Sequence, residues 1–161
     1  MSFLEHTGGR EKGLLSQFVL KGQKGNPIPR IVDWYGKLDT RKLNRKEYRK
    51  LPQYVLLEME MGEDILYPDM LFTPVFLVSS EVMELLIHYD ETIPFIFMAL
   101  FATDQEESAS YFCPILEESD GVQDKPIYRL TREGKSEIYV RLDLAESLLS
   151  REVIGIALEE V

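Results

Sequence analysis

Two histidines, one cysteine and 28 acids are the groups from which this chain could assemble a catalytic centre. His88 stands in the run His88-Tyr89-Asp90-Glu91, a histidine beside carboxylates and so the raw material of a general base. Its place at the end of an amphipathic stretch equally suits a side chain that meets the last carbonyls of a helix. Neither His88 nor His6 lies in a HExxH run or another zinc-ligand spacing, and no metal is expected. Cys113, flanked by Phe112, Pro114 and Ile115, has no cationic cluster to hold a thiolate and reads as a small apolar strand residue. Carboxylates pair at Glu58 with Glu60, Glu63 with Asp64 and Glu117 with Glu118. With 28 acids in the chain such adjacency arises by chance and singles out no acid/base couple. Phosphate-cradling GxxxxGKS/T and GxGxxG runs are absent, as is a GxSxG nucleophile elbow. The residues therefore predict no cofactor and no enzyme, although an enzyme with an unfamiliar site stays open as a third reading.

Charge points instead to binding. The net charge is −10, unevenly spread: residues 37–50 hold seven Lys or Arg against two acids, which leaves 11 bases and 26 acids elsewhere. A body that acidic repels nucleic acid and membrane surfaces and favours encounter with a basic protein partner. The acids Glu58, Glu60, Glu63, Asp64, Glu117, Glu118 and Asp120 are the candidate contacts, with Trp34 and Tyr35 as aromatic anchors. The Trp34–Tyr35 pair has a plainer reading as well, as a packing anchor that holds a terminal segment to a core. Arg41, Arg45 and Arg49 recur at four-residue spacing, as do Lys42, Lys46 and Lys50, which on a helix makes a solvated basic face. That face is also the basis of the alternative function, a nucleic-acid-associated protein.

The elements that must carry these residues can be read from periodicity. At 161 residues the chain fits one domain with a core of its own. Glycines and prolines punctuate the first thirty residues, so residues 1–52 read as an irregular lead-in with one apolar element, Leu14 to Leu20, and a short basic helix. That helix is placed at residues 44–50, capped by Asn44 and stopped by Pro52. An α+β domain is expected over residues 53–161. Gln53 to Met61 alternates as a strand with one wet face, and Phe72 to Val78 reads as another. From there the chain spells one unit twice, an apolar strand, a polar cap, a short amphipathic helix ending in a Leu pair, and a second apolar strand. Ser80 aligns with Asp143, Val82 with Ala145, and Leu85-Leu86 with Leu148-Leu149. Ser80 and Asp143 are the expected N-caps, Asp143 forming a capping box with Glu146. The inward faces are Val82, Leu85, Leu86 and Tyr89 in the first copy, and Leu144 or Ala145 with Leu148 and Leu149 in the second. Strands at Ser108 to Leu116 and Pro126 to Leu130 and a hairpin around Gly134 complete a mixed or antiparallel sheet of about five to seven strands with two helices packed on it.

The echoed half also carries a resemblance. Its residues are Val78, Ser79, Val82 and Leu85 at the first helix, then Ile127-Tyr128-Arg129-Leu130, then Tyr139 to Leu149, and finally the Gly155-containing strand that runs into Glu159 and Glu160. Over residues 53–161 this pattern resembles the immunity protein 11 family of bacterial polymorphic toxin systems, with Tyr128 where that family has phenylalanine. The resemblance implies a cytoplasmic, non-enzymatic protein that binds a cognate toxin. It supplies no functional residues to carry over and does not reach the first fifty residues. A cytoplasmic setting is expected on the residues too, because the opening Met1 to Gly9 lacks a basic segment leading into an apolar core.

Overall fold

The computed structural model describes residues 16–161 apart from 26, 35, 61, 63, 64 and 103–105. Among the described residues the fold is α+β, with eleven strands in two mixed sheets and two α-helices. The expected single sheet is divided in two. One has five strands in the order β11 (Ile156–Glu160), β1 (Gln17–Gly22), β10 (Lys135–Arg141), β9 (Ile127–Arg132), β8 (Glu118–Ser119). The other has six, in the order β2 (Arg30–Val32), β3 (Tyr54–Glu60), β6 (Phe95–Ala102), β7 (Glu107–Pro114), β5 (Leu77–Val78), β4 (Met70–Leu71).

The repeated unit of the sequence is a repeated unit of topology. In the first copy, α1 (Ser80–Tyr89) connects β5 to β6, and β7 lies between these two strands, antiparallel to both. In the second, α2 (Leu142–Ser150) connects β10 to β11, and β1 lies between them, again antiparallel to both. Each copy is thus a parallel strand–helix–strand crossover split by one inserted strand. Their helices share one core: Val82, Leu85 and Leu86 of α1 cluster with Leu144, Ala145 and Leu148 of α2, and with Phe18, Leu20, Ile138 and Val140 of the five-stranded sheet. The Tyr89 hydroxyl crosses from α1 to meet Ser147 Oγ and donates to the Asp143 carbonyl at 3.0 Å.

Several local expectations need correction. Of the lead-in expected over residues 1–52, residues 1–15 lie outside the described residues, and the described part is built into the sheets: β1 is an interior strand of the five-stranded sheet and β2 pairs with β3. Phe18 is fully buried and Leu20 nearly so. Residues 44–50 do not form an α-helix. Two short 3-10 turns, Thr40–Lys42 and Tyr48–Lys50, flank Asn44, whose Oδ1 accepts from the N–H groups of Lys46 and Glu47. The reason is spacing. Leu38, Leu43, Tyr48 and Leu51 all face the second apolar cluster, and gaps of five, five and three residues fit no single helical stripe. With Trp34 they cover Val55, Leu57, Met59, Ile96, Met98 and Leu100 on one face of the six-stranded sheet.

The strand expected at Phe72 to Val78 shrinks to β5, with a cis peptide between Thr73 and Pro74 ahead of it. The first N-cap is Ser79, not Ser80: its hydroxyl accepts from the Val82 N–H, because Ser79 is itself fixed from outside the helix. The second helix runs straight on from β10 with Arg141 at the cap. Asp143 therefore falls inside the first turn, where it accepts from the Leu144 N–H and pairs with Arg141 at 2.8 Å. Leu149 points outward, 39% exposed. The hairpin at Gly134 is as expected, with Glu133 and Gly134 both at left-handed φ, which suits the twist of the strands they join.

Asp69 fastens one copy to the other. Its Oδ1 accepts from Ser79 Oγ at 2.9 Å, at the start of α1, and its Oδ2 accepts from the Ile154 N–H at 2.7 Å, in the turn before β11. Its own N–H donates to the Ile154 carbonyl. Hydrogen bonds to a charged acceptor contribute about 1.5–3 kcal/mol each before coupling, so Asp69→Ala should lower the unfolding free energy by about 3 kcal/mol. Urea titration of both proteins checks this, and a loss under about 0.5 kcal/mol, the range of ordinary surface substitutions, would mean the bridge is ornamental.

Candidate functional site

Two of the groups suited to chemistry, Cys113 and Tyr111, are withdrawn from solvent. Cys113 is 3% exposed, and burial pushes its thiol up to about 12. Tyr111 is buried, its hydroxyl donating to the Pro68 carbonyl at 2.7 Å, and burial raises it as well. His88 is exposed in the last turn of α1, edge-on to the Tyr89 ring. Among the described residues no three His, Cys, Asp or Glu side chains gather as a metal site, and no helix is long and apolar enough to cross a membrane.

The buried thiol has a consequence for stability. In an unfolded chain it ionises near pH 8.5, so above that the unfolded state releases a proton that the folded state keeps. The raised value thus contributes stability that is complete below about pH 8.5 and is lost as the pH climbs toward 12. Unfolding free energy should fall by about 1.4 kcal/mol per pH unit above about pH 9 on account of this group. Urea midpoints of the wild type and Cys113→Ala at pH 8 and 10 measure it; equal pH slopes in the two proteins would contradict it.

What the fold leaves open is a face. On the side of the six-stranded sheet opposite Val55, Leu57 and Met59, helix α1 packs over β5 and β7, against Val78 and Phe112. Phe95 at the start of β6 joins the cluster around α1, whereas Phe97, Ala99 and Phe101 farther along β6 and Tyr54 and Leu56 of β3 are not part of it. The register places Tyr54 beside Phe97 and Phe97 beside Phe112, then Leu56 beside Ala99, then Glu58 beside Phe101. Tyr54 is 58% exposed and Leu56 49%. The Tyr54, Phe97 and Phe112 rings run across three strands with centroids 5.0 and 5.2 Å apart, and so form a preordered row. Ala99 leaves a shallow step beside Leu56, and the half-buried Phe101 lies under the Lys37 ammonium, 5.7 Å from its ring centre. Glu58, Glu60 and Arg30 close the far end, Arg30 pairing with Glu60 across β2 and β3. An ordered apolar centre with a charged border is the anatomy of a protein-binding surface.

Two of the acids anticipated from sequence, Glu58 and Glu60, lie on this border. Glu63, Asp64 and Tyr35 lie outside the described residues. Glu117, Glu118 and Asp120 are elsewhere: they follow Pro114, which pairs with Phe95 at the opposite end of β6 from Phe101, about 20 Å away along the strand. Glu117 is already neutralised by Arg45 at 3.6 Å and by Lys125, while Glu118 and Asp120 are exposed. Trp34 is half-buried against the cluster behind the sheet, where its carbonyl accepts from the N–H groups of Lys37 and Leu38. The basic run is dispersed by its turns, with Arg41 held by Asp39, Arg45 by Glu117 and the Ile115 carbonyl, and Lys50 near Glu47. Tyr54, Leu56, Phe97 and Phe101 are the residues that sequence reasoning missed. Their signal was present as apolar side chains at the wet positions of β3 and at alternate positions of β6. Among known proteins, no family model and no curated protein matches the chain.

Proposed function

We propose that this is a non-enzymatic binding protein of the bacterial cytoplasm that neutralises a cognate protein toxin by direct contact, docking it on the open β3–β6 face. The observation that carries the reading is the pairing of that apolar face with a net charge of −10. Tyr54 and Leu56 act as anchors that lose water on docking, and the acidic body attracts a basic partner and speeds its approach. The resemblance of residues 53–161 to the immunity protein 11 family supports the same class of function. The nucleic-acid reading has less support, because the basic stripes on which it depended do not share a helix.

Co-expression with the product of the neighbouring toxin gene tests the reading. Growth rescue with co-purification of the two proteins is expected, and rapid association that slows as salt is added. A chain that neither rescues growth nor co-purifies with that product would sink the proposal.

A further inference from the structure

A second site lies away from the open face. Between the core side of the five-stranded sheet and the end of β7 is an open cleft of about 650 Å³, within the range of small-molecule sites. Its buried lining is apolar, including Leu20, Val75, Phe76, Leu116 and Ile138. One cation enters it from the sheet's core side. Arg129 is on β9 at the position paired with Ile138, half-buried, and its guanidinium donates to Ser136 Oγ at a long 3.5 Å. Among the described residues it makes no ion pair, and burial holds its guanidinium below the usual arginine range.

The other cations on the cleft's border are compensated. Lys21 pairs with Glu159 at 2.9 Å, Arg41 with Asp39 at 2.9 Å and Lys135 with Glu137 at 3.9 Å. Glu118, paired in register with Arg129 on the adjoining strand, is exposed and does not come within salt-bridge distance of it. Among the described residues the cleft's one cation without an ion pair is therefore Arg129, a planar fork that matches two carboxylate oxygens, with the exposed Glu118 carboxylate beside it. A phosphate dianion would meet one free cation and a neighbouring carboxylate. A monoanion is the better match, and under the cleft's predominantly polar rim the apolar floor has room for a hydrocarbon body behind the charge.

We infer that the cleft binds a small monocarboxylate bearing an apolar chain, its head held by Arg129 and its chain laid along Phe76, Val75 and Leu116. The site is independent of toxin binding and needs no partner protein.

Decanoate, kept below its micellar concentration, is the probe, titrated into the full-length protein by calorimetry beside decanol and decylammonium. Decanoate should bind at least roughly tenfold more tightly than decanol, and decylammonium should not bind, since a charge-assisted bidentate contact is what distinguishes them. Arg129→Gln, with its urea midpoint recorded, should remove the preference for decanoate over decanol. Glu118→Gln should tighten decanoate binding severalfold, because it takes a negative charge from beside the head-group. This second variant tests the same geometry if Arg129→Gln does not fold. Absence of decanoate binding to the wild type, decanol binding as tightly, a preference that survives in Arg129→Gln, or unchanged or weaker binding in Glu118→Gln would each overturn the assignment.

Discussion

Gly155→Ala should cost about 4 kcal/mol of stability, enough to leave a domain of ordinary stability close to unfolding. Gly155 is buried at φ +91°, in the left-handed region where an L side chain costs about 1–2 kcal/mol. A Cβ there would also sit 2.4 Å from Cβ of Pro68. Pro68 cannot easily retreat. It is buried, its carbonyl holds the Tyr111 hydroxyl, and the next residue is Asp69, which fastens Ser79 to Ile154. The Gly155 carbonyl in turn accepts from the Gln23 N–H beyond β1, so a shift of Gly155 strains the β1–β11 pairing and a shift of Pro68 strains the Asp69 junction between the two copies of the repeat. Gly134→Ala is the control. Gly134 has φ +78° with nothing within 4 Å of an added Cβ, so it should lose only the backbone part, about 1–2 kcal/mol. Urea unfolding of the three proteins separates the contributions: equal losses at the two glycines would show that close approach to Pro68 is not what Gly155 provides.

This junction explains where sequence reading succeeds and where it stops. The inward faces of α1 and β3 were legible because Val82, Leu85 and Leu86, and Val55, Leu57 and Met59, recur at the periods of a helix and a strand. The repeat was legible for the same reason, since each copy is built from local pattern. Its completion was not. Of the strands that split the two units, β7 follows β6 directly and folds back on it, but β1 comes from the other end of the chain from β10 and β11, and nothing within Gln17–Gly22 announces that Phe18 will pair with both Val140 and Glu160. Pairing partners are set by the assembled core, and one strand's alternation is compatible with many neighbours. Residues 40–50 mislead in a related way. Charge spacing suggested a helical face, but the positions that decide the local backbone are Leu38, Leu43, Tyr48 and Leu51, whose irregular spacing is explained only by the sheet beneath them.

The candidate site divides along the same line. Glu58 and Glu60 were found because carboxylates are conspicuous in any sequence. Tyr54 and Leu56 were passed over, since an apolar residue on the wet side of a strand is ordinary until one knows that no helix covers it. That depends on how far α1 extends across the sheet, a property of α1, β5 and β7 together. Arg129 likewise looked like one residue of an apolar strand. Its lack of a carboxylate partner is visible only once β9 lies beside the end of β7.

The open face carries the second large expected effect. Two anchor residues of a desolvated centre each contribute about 2 kcal/mol or more to binding when they are hot spots, so removing both should weaken the complex at least roughly 100-fold. Threonine is the replacement of choice at positions 54 and 56, because it deletes the apolar bulk while keeping a strand-compatible, uncharged side chain. Both residues are about half exposed, so folding should be little affected. The deciding measurement is the dissociation constant of the Tyr54→Thr/Leu56→Thr double variant for the toxin encoded beside this chain, set against the wild type at one salt concentration, with urea midpoints recorded for both. An affinity at least about 100-fold weaker at nearly unchanged stability is the predicted result. Wild-type affinity in the double variant would contradict the assignment of the β3–β6 face as the binding surface.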